Sequence, residues 1–123
     1  MSKKRFMLTV LTSCADPERE EEFNRWYIHV HLPDLKETAG LVRARRFANL
    51  DPSDEPSMSL TVYEFETDDM GASIAELSAT AFEAIGKGRH FDVDKFVLKG
   101  FYQWEEMNPA DFEPMPNPNY PKG

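Results

Sequence analysis

Apolar residues recur along the chain with two different periods, and each period predicts its own kind of element. Phe6, Leu8 and Val10 alternate with Met7, Thr9 and Leu11, which predicts a first strand with two apolar faces. Similar alternation predicts strands at 41–50, 58–67 and 95–106. In the last of these, Tyr102 and Trp104 share one face of the strand.

Helical spacing fills the two gaps between these strands. Asp16 and Pro17 predict the N-cap and first residue of one helix, and Pro33 predicts its end or a kink near His31 and Leu32. A second helix is predicted from about 70 to 87, where glycines end it. The predicted apolar stripes are Phe23, Trp26, Tyr27, Val30 and His31 on the first helix, and Ile74, Leu77, Ala81 and Ile85, with Phe82 beside them, on the second.

The resulting order is strand, helix, strand, strand, helix, strand. This order predicts an α+β, ferredoxin-like βαββαβ domain over 1–106 with a four-stranded antiparallel sheet. The tail, 107–123, holds five of the nine prolines and is expected to form neither helix nor strand. Its apolar residues Phe112, Met115 and Tyr120 are expected to hold it against a surface of the domain or of a partner copy.

Two helices on one side of such a sheet leave its other side without a covering layer. A face open to water would be polar, yet at least three predicted strands carry apolar or aromatic residues on both faces. A second copy packed on this face would remove the apolar surface from water. We therefore expect a homodimer that buries at least about 1,000 Å² in total.

Composition narrows the choice of partners and location. The chain of 123 residues has a net charge of -8, which disfavours binding to nucleic acid or to anionic membranes. The single Cys14 excludes an intramolecular disulfide and a cysteine-rich metal site. Residues 11–14 resemble a lipoprotein cleavage box, but the preceding apolar stretch is short and alternates as a strand does. We expect a cytoplasmic protein.

One stretch carries a family resemblance. Residues 23–35, FNRWYIHVHLPDL, are followed by Gly40-Leu41 and by Arg45-Arg46-Phe47. This pattern resembles the EthD-like family of the dimeric α+β barrel superfamily, in which a Trp-Tyr pair and a His-x-Pro-x-Leu element precede a glycine and a strand ending in Arg-Tyr or Arg-Phe. The resemblance implies a homodimer with a pocket between sheet and helices, and the motif histidine, here His31, facing that pocket.

His31 is the first candidate for chemistry, because an imidazole both gives and accepts a proton near neutrality. Asp34 follows three residues later and is a candidate for orienting the ring. The competing interpretation is a histidine that caps the C-terminus of the helix. His29 lies about 200° around a regular helix from His31, so the two are not expected to share a metal ion. His29 and His90 are expected at the surface, and we expect neither a metal site nor a cofactor.

Aromatic residues supply candidates for ligand binding. Tyr63 and Tyr102 are candidates for donating a hydrogen bond to an oxygen that gains negative charge. For most of the aromatic candidates, the alternative interpretation is that they pack in the core or in the dimer interface. Arg43 and Arg45 share a face and are expected to pair with the acidic first helix or to hold an anionic substrate. The full set of predicted substrate-binding residues is Trp26, Tyr27, Tyr63, Tyr102 and Trp104.

The superfamily includes cofactor-free monooxygenases, polyketide cyclases, dehydratases, lactone isomerases and members without known activity. We expect a small cofactor-independent enzyme of the cyclase, dehydratase, lyase or isomerase type. Its substrate would be a hydrophobic aromatic or polyketide-like small molecule, and His31 would transfer a proton. The alternatives are a cofactor-free monooxygenase on the same scaffold and a non-catalytic ligand-binding or accessory protein of a degradative pathway.

Overall fold

A computed structural model describes residues 3–51, 53, 58–89, 91 and 93–114, without the side chains of 94 and 95. His90, Met115 and Tyr120, about which the sequence made predictions, lie outside these residues. The strands are β1 (Lys4–Cys14), β2 (Leu41–Ala48), β3 (Met58–Thr67) and β4 (Val93–Tyr102). The helices are α1 (Glu20–Trp26), α2 (Leu32–Leu35) and α3 (Met70–Gly86), with 3-10 turns at Pro17–Arg19 and Pro109–Asp111 and a π-helical turn at Tyr27–His31.

The four strands form one antiparallel sheet in the order β2-β3-β1-β4. With the helices between them, this is the ferredoxin-like βαββαβ arrangement predicted from the sequence. Residues at alternate positions of β1 and β3 face the helices, and Leu8 pairs directly with Tyr63 in this layer. The core lies between the sheet and the helices and is formed by Leu8, Val10, Leu35, Tyr63, Phe65 and Leu77, joined at one end by Cys14, Phe23 and Tyr27.

Pro33 does not end the first helix, which was one of the two alternatives predicted, but the regular helix is interrupted directly before it. The turn Tyr27–His31 widens to a π-helix, in which the Leu32 N–H donates to the Tyr27 carbonyl five residues earlier. Proline has no N–H, and its ring clashes with the carbonyl four residues before it in a regular α-helix. The wider turn shifts the hydrogen-bond register directly ahead of Pro33, and the chain continues in α2.

The apolar stripe of α3 agrees with the prediction only in part, since Leu77 is buried and Ala81 packs against the core. Ser73 and Leu77 are its buried residues, whereas Phe82 is 78% exposed and Ile85 is half-exposed. The buried Ser73 hydroxyl donates to the Ala39 carbonyl at 2.7 Å, so a polar residue ties this helix to the connection before β2. A periodicity count that scores only apolar residues misses such a contact.

Strand ends and the tail differ in detail. β2 stops at Ala48 rather than at 50, and β4 ends at Tyr102, although the Gln103 N–H still donates to the Arg5 carbonyl at 2.8 Å. The described part of the tail, up to residue 114, contains a 3-10 turn at Pro109–Asp111, because the fixed φ of a proline suits the first position of such a turn. Phe112 is 61% exposed, so the described part of its own chain leaves most of this side chain uncovered.

The second face of the sheet carries a mixture of apolar side chains and ion pairs. Arg43 and Arg45 both pair with Glu64 of β3, at 3.2 and 3.1 Å, and not with the acidic first helix as one prediction had it. They point away from the helices, so the first helix is out of their reach. Apolar side chains on this face include Met7, Leu60, Val62, Val97 and Phe101.

Among the described residues, no helix is long and apolar enough to span a membrane.

Candidate active site

A cavity of about 250 Å³ lies between the sheet and the helices, at the end of the sheet where β1 finishes and β4 begins. It exists because α3 packs over β3 and α2, which leaves the helix-facing side chains of β4, such as Phe96, only partly covered. Val10, Thr12, Phe96 and Leu98 form its floor; Trp26, Tyr27 and His31 form one wall, and Leu77, Ala81 and Ile85 form the other. Its lining is predominantly apolar, which suits an apolar ligand.

The π-helical turn places two side chains in this wall. Tyr27 and His31 are four residues apart, and their rings meet edge to face with centroids 4.8 Å apart. Single π-helical turns within α-helices are often found at functional sites, since they re-aim side chains that a regular helix would direct elsewhere. Phe23, one turn earlier, is fully buried and anchors this part of the helix in the core.

His31 is held by aromatic stacking. Its ring lies nearly parallel to the Trp26 indole, with an interplanar angle of 20° and centroids 4.9 Å apart. Burial lowers the pKa of His31 from 6.5 to about 4, with a smaller lowering from the Arg46 charge and an opposing rise from Asp34. The imidazole is therefore neutral at physiological pH. No described residue forms a hydrogen bond with it, so its ring nitrogens are available to a ligand.

The spacing of Asp34 had suggested that it orients the His31 ring, but the structure gives its carboxylate another partner. Its carboxylate accepts two hydrogen bonds from Arg89, at 2.9 and 3.0 Å, and these bonds lower its pKa. The Arg89 carbonyl in turn accepts a hydrogen bond from the Trp26 indole at 2.9 Å. Arg89, after α3, is thus hydrogen-bonded to Trp26 before His31 and to Asp34 after it. Asp34 acts on the imidazole only through its charge.

Two buried phenols lie beside the imidazole. The Tyr27 and Tyr63 hydroxyls are 3.2 Å apart and share one hydrogen bond, which leaves one hydroxyl proton of the pair without a partner inside it. Burial raises the pKa of Tyr63, so its phenol stays protonated. Tyr27 and Tyr63 both line the cavity, so the pair is a hydrogen-bond donor in its wall, and Tyr63 is one of the two tyrosines that the sequence offered for this role.

Two other predicted residues lie elsewhere. Tyr102 is 68% exposed and Trp104 is 86% exposed, and both border a separate open hollow at the opposite end of the sheet. Tyr102 pairs with Phe6, whereas the cavity begins at Val10. At about 3.3 Å per residue, Tyr102 is roughly 13 Å along the strand from Leu98 in the cavity floor. His29 is exposed on the outer side of the helix.

The structure adds residues that the sequence reasoning did not assign to the site. Phe91 packs against Trp26 with ring centroids 5.9 Å apart, and Phe96 forms floor. Phe96 could have been assigned to the site from the antiparallel pairing of β1 with β4. This pairing places Phe96 beside Thr12, at the end of β1 where the cavity lies. In the described ranges, no three His, Cys, Asp or Glu side chains gather where they could hold a metal ion.

Comparisons with known proteins identify the fold. No family model matches the chain, and no curated protein matches it. Among solved structures, it is similar to a protein of Deinococcus radiodurans provisionally named an antibiotic biosynthesis monooxygenase, with a TM-score of 0.60 and 16% identity over 84% of this chain and 96% of that one. A dimeric ferredoxin-like protein from an uncultured marine organism has a TM-score of 0.57 and 16% identity, over 85% and 99%.

An EthD family protein of Bacillus halodurans also has this fold, with a TM-score of 0.52 and 22% identity over 84% of this chain and 99% of the other. The ferredoxin-like prediction is therefore confirmed. The resemblance to the EthD-like family, drawn from residues 23–47, is confirmed at the level of the fold. At these identities the comparisons define the architecture, and the chemistry has to be argued from the cavity.

Proposed function

We propose that this chain is a cofactor-independent enzyme in which His31 removes a proton from a hydrophobic aromatic or polyketide-like substrate. The observation that carries the proposal is a neutral imidazole, without a hydrogen-bond partner among the described residues, in the wall of an apolar cavity. A neutral imidazole accepts a proton, and stacking on Trp26 holds its ring in one orientation.

The substrate class follows from the lining. A cavity of about 250 Å³ with this apolar surface accepts a small ring system. Among its polar side chains, His31 meets the Tyr27 ring, and Tyr27 shares a hydrogen bond with Tyr63. An acidic C–H next to a carbonyl would lie toward His31. Removal of that proton shifts negative charge onto the carbonyl oxygen, and the Tyr27–Tyr63 hydroxyl pair is the available donor to it.

Hydrogen exchange in heavy water tests this step without knowledge of the final product. The protein would be incubated in D₂O with a panel of aromatic ketones, and deuterium at the carbon next to the carbonyl would be measured by mass spectrometry. We expect exchange above the spontaneous rate, and a loss of about a hundredfold or more in His31→Ala. His29→Ala is the matched control, because His29 is exposed on the opposite side of the same helix, and it should keep the rate.

Equal exchange in His31→Ala and the unsubstituted protein would remove His31 from the mechanism. Binding of the ketones without exchange would instead support the ligand-binding or accessory role. In that case binding should survive the loss of His31, since an apolar cavity retains its lining.

A cofactor-free monooxygenase is the second candidate, favoured by the names given to similar structures from Deinococcus radiodurans and Shewanella loihica. It would begin with the same proton removal. Dioxygen would then react with the carbanion, so that a CH₂ group and O₂ yield C=O and water. An oxygen electrode distinguishes the candidates: a cyclase, dehydratase, lyase or isomerase forms product without oxygen, whereas the monooxygenase consumes one O₂ per product.

We further propose that two copies pack through the second sheet face, as the name of the marine dimeric ferredoxin-like protein supports. Met7, Val97 and Phe101 are exposed on this face, and Glu64 with its two arginine partners lies on the same face, so it presents both apolar area and charges. Sedimentation at micromolar concentration should give a dimer, and a monomer would contradict this. A cytoplasmic location, and the lack of binding to nucleic acid or membranes, stay predictions.

A further inference from the structure

Arg46 differs from every other arginine that the structure describes. The other six arginines each form an ion pair with a carboxylate, with a nitrogen-to-oxygen distance of 3.7 Å or less. Arg46, on β2, has no carboxylate partner among the described residues, although it is half-buried under the first helix. Its guanidinium donates to the Asn24 side-chain oxygen at 3.2 Å and to the Ser59 hydroxyl at 2.8 Å, both of which are neutral.

The guanidinium also lies over the ring of Tyr27, with its carbon 4.1 Å from the ring centroid. A cation over an aromatic face attracts the ring electrons, and this makes the phenol hydroxyl a stronger hydrogen-bond donor. The Nε atom of Arg46 is buried and has no hydrogen-bond partner in the described part of the chain. Thus a positive charge lies against the ring of Tyr27, one of the two tyrosines of the hydroxyl pair, and Arg46 itself is not part of the cavity lining.

A partly buried charge without a counter-ion is destabilising, because desolvation is not offset by an opposite charge. A neutral residue of similar size at this position of β2 would avoid that cost. The arrangement is explained if the missing negative charge belongs to the ligand. Arg46 does not line the cavity, so its charge would reach the ligand through Tyr27 and Tyr63.

We infer that Arg46 is a positioning residue that makes the cavity selective for a ligand that is an anion, or becomes one, at an oxygen bound to the Tyr27–Tyr63 hydroxyl pair. The inference rests on the proposed function and names its substrate class: phenols, enols and enolisable ketones whose oxygen carries the charge after deprotonation. An apolar molecule without such an oxygen would not use the charge of Arg46.

Few other charged groups surround the hydroxyl pair. From the helix, His31 is neutral at physiological pH, and from the segment after α3, Arg89 is neutralised by Asp34. From β3, Tyr63 itself stays protonated. Arg46 therefore supplies the uncompensated charge among the described groups that face this site.

Ionisation of a bound phenol measures this selectivity without any turnover. The probe is 4-nitrophenol, whose anion absorbs visible light, and its apparent pKa would be determined in complex with the protein. An apolar cavity alone would raise the pKa of the probe, whereas a nearby positive charge lowers it. We expect the bound probe to ionise at or below its pKa in water. In Arg46→Gln the pKa of the bound probe should rise by about one unit, with about tenfold weaker binding of the anion.

Two variants separate charge from structure. Arg46→Lys keeps the charge and should retain most of the lowered pKa. Arg43→Gln removes a cation from the same strand on the opposite face, where Glu64 pairs with it, and should leave the bound probe unchanged. The inference would be overturned by a raised pKa of the probe in the unsubstituted protein, by failure of the anion to bind, or by equal pKa values in Arg46→Gln. None of these results depends on whether His31 transfers a proton, which the exchange experiment tests separately.

Discussion

Acid should destabilise this protein through His31, and the variant His31→Phe measures by how much. The imidazole is neutral when folded, because protonation in the wall of the apolar cavity would place a charge where it is only partly hydrated. In the unfolded chain the same imidazole is exposed and binds a proton readily. Phenylalanine retains a ring that can stack on Trp26 but cannot titrate, so it removes the coupling between folding and protonation at this position.

The magnitude follows from the two pKa values of His31. The folded value is about 4 and the unfolded value is 6.5, so between them the unfolded state binds more protons. Above pH 6.5, His31 does not lower the free energy of unfolding. This free energy decreases as the pH falls from 6.5 to about 4, and the full loss is reached below about pH 4. At about 1.4 kcal/mol per pKa unit, the loss is about 3 kcal/mol. That is a large share of the roughly 5–15 kcal/mol by which a domain is usually stable.

Urea denaturation followed by circular dichroism, at a series of pH values and one protein concentration, measures this difference. Carboxylates titrate in both proteins and cancel when the two are compared. From neutral pH to about pH 4, His31→Phe should lose about 3 kcal/mol less than the unsubstituted protein. His29→Gln, on the exposed side of the helix, should follow the unsubstituted protein. A difference that stays constant across this pH range would refute the reasoning.

Three further predictions concern the stability of the fold around the site and the part played by the tail. Asp34→Asn should lower the free energy of unfolding by no more than about 1 kcal/mol, since its ion pair is partly exposed, and a several-fold larger loss in urea denaturation would show a structural role. Gly40→Ala should cost about 1–3 kcal/mol, because its φ is +82° and the new Cβ would lie 2.9 Å from a neighbouring side chain; Gly88→Ala, with a φ of +71° and open space, should cost less in the same assay. Truncation after residue 107 should leave thermal unfolding cooperative, and a broad transition would place the tail in the core.

Much of the fold could be predicted from local patterns. The alternation over Met58–Thr67 gave the bounds of β3 and the two faces of that strand, because a strand with this side-chain period has no other way to bury Tyr63 and Phe65. The π-helical turn could not be predicted. Its apolar spacing also fits an α-helix, and Pro33 suggested an end or a kink without indicating a widened turn through which the helix continues.

The site was predicted only in part, since the missing information is long-range. The helical stripe indicated Trp26, Tyr27 and His31, which share one helix and therefore one wall. The face on which Tyr102 lies was also predicted, but not which end of the sheet the cavity occupies, as that depends on strand register. Arg89 meets Asp34 from 55 positions away, and no periodicity reports such a pair.

A pH titration of the His31 ring by NMR, with and without a bound aromatic ketone such as 1-tetralone, tests the central claim most directly. That claim is a neutral imidazole facing a cavity that takes an apolar, enolisable ligand. We predict that the ring titrates with a pKa of about 4, and that the ketone shifts the resonances of His31 but not those of exposed His29. A midpoint near 6.5, with no response of His31 to the ketone, would place the imidazole in water and contradict the account.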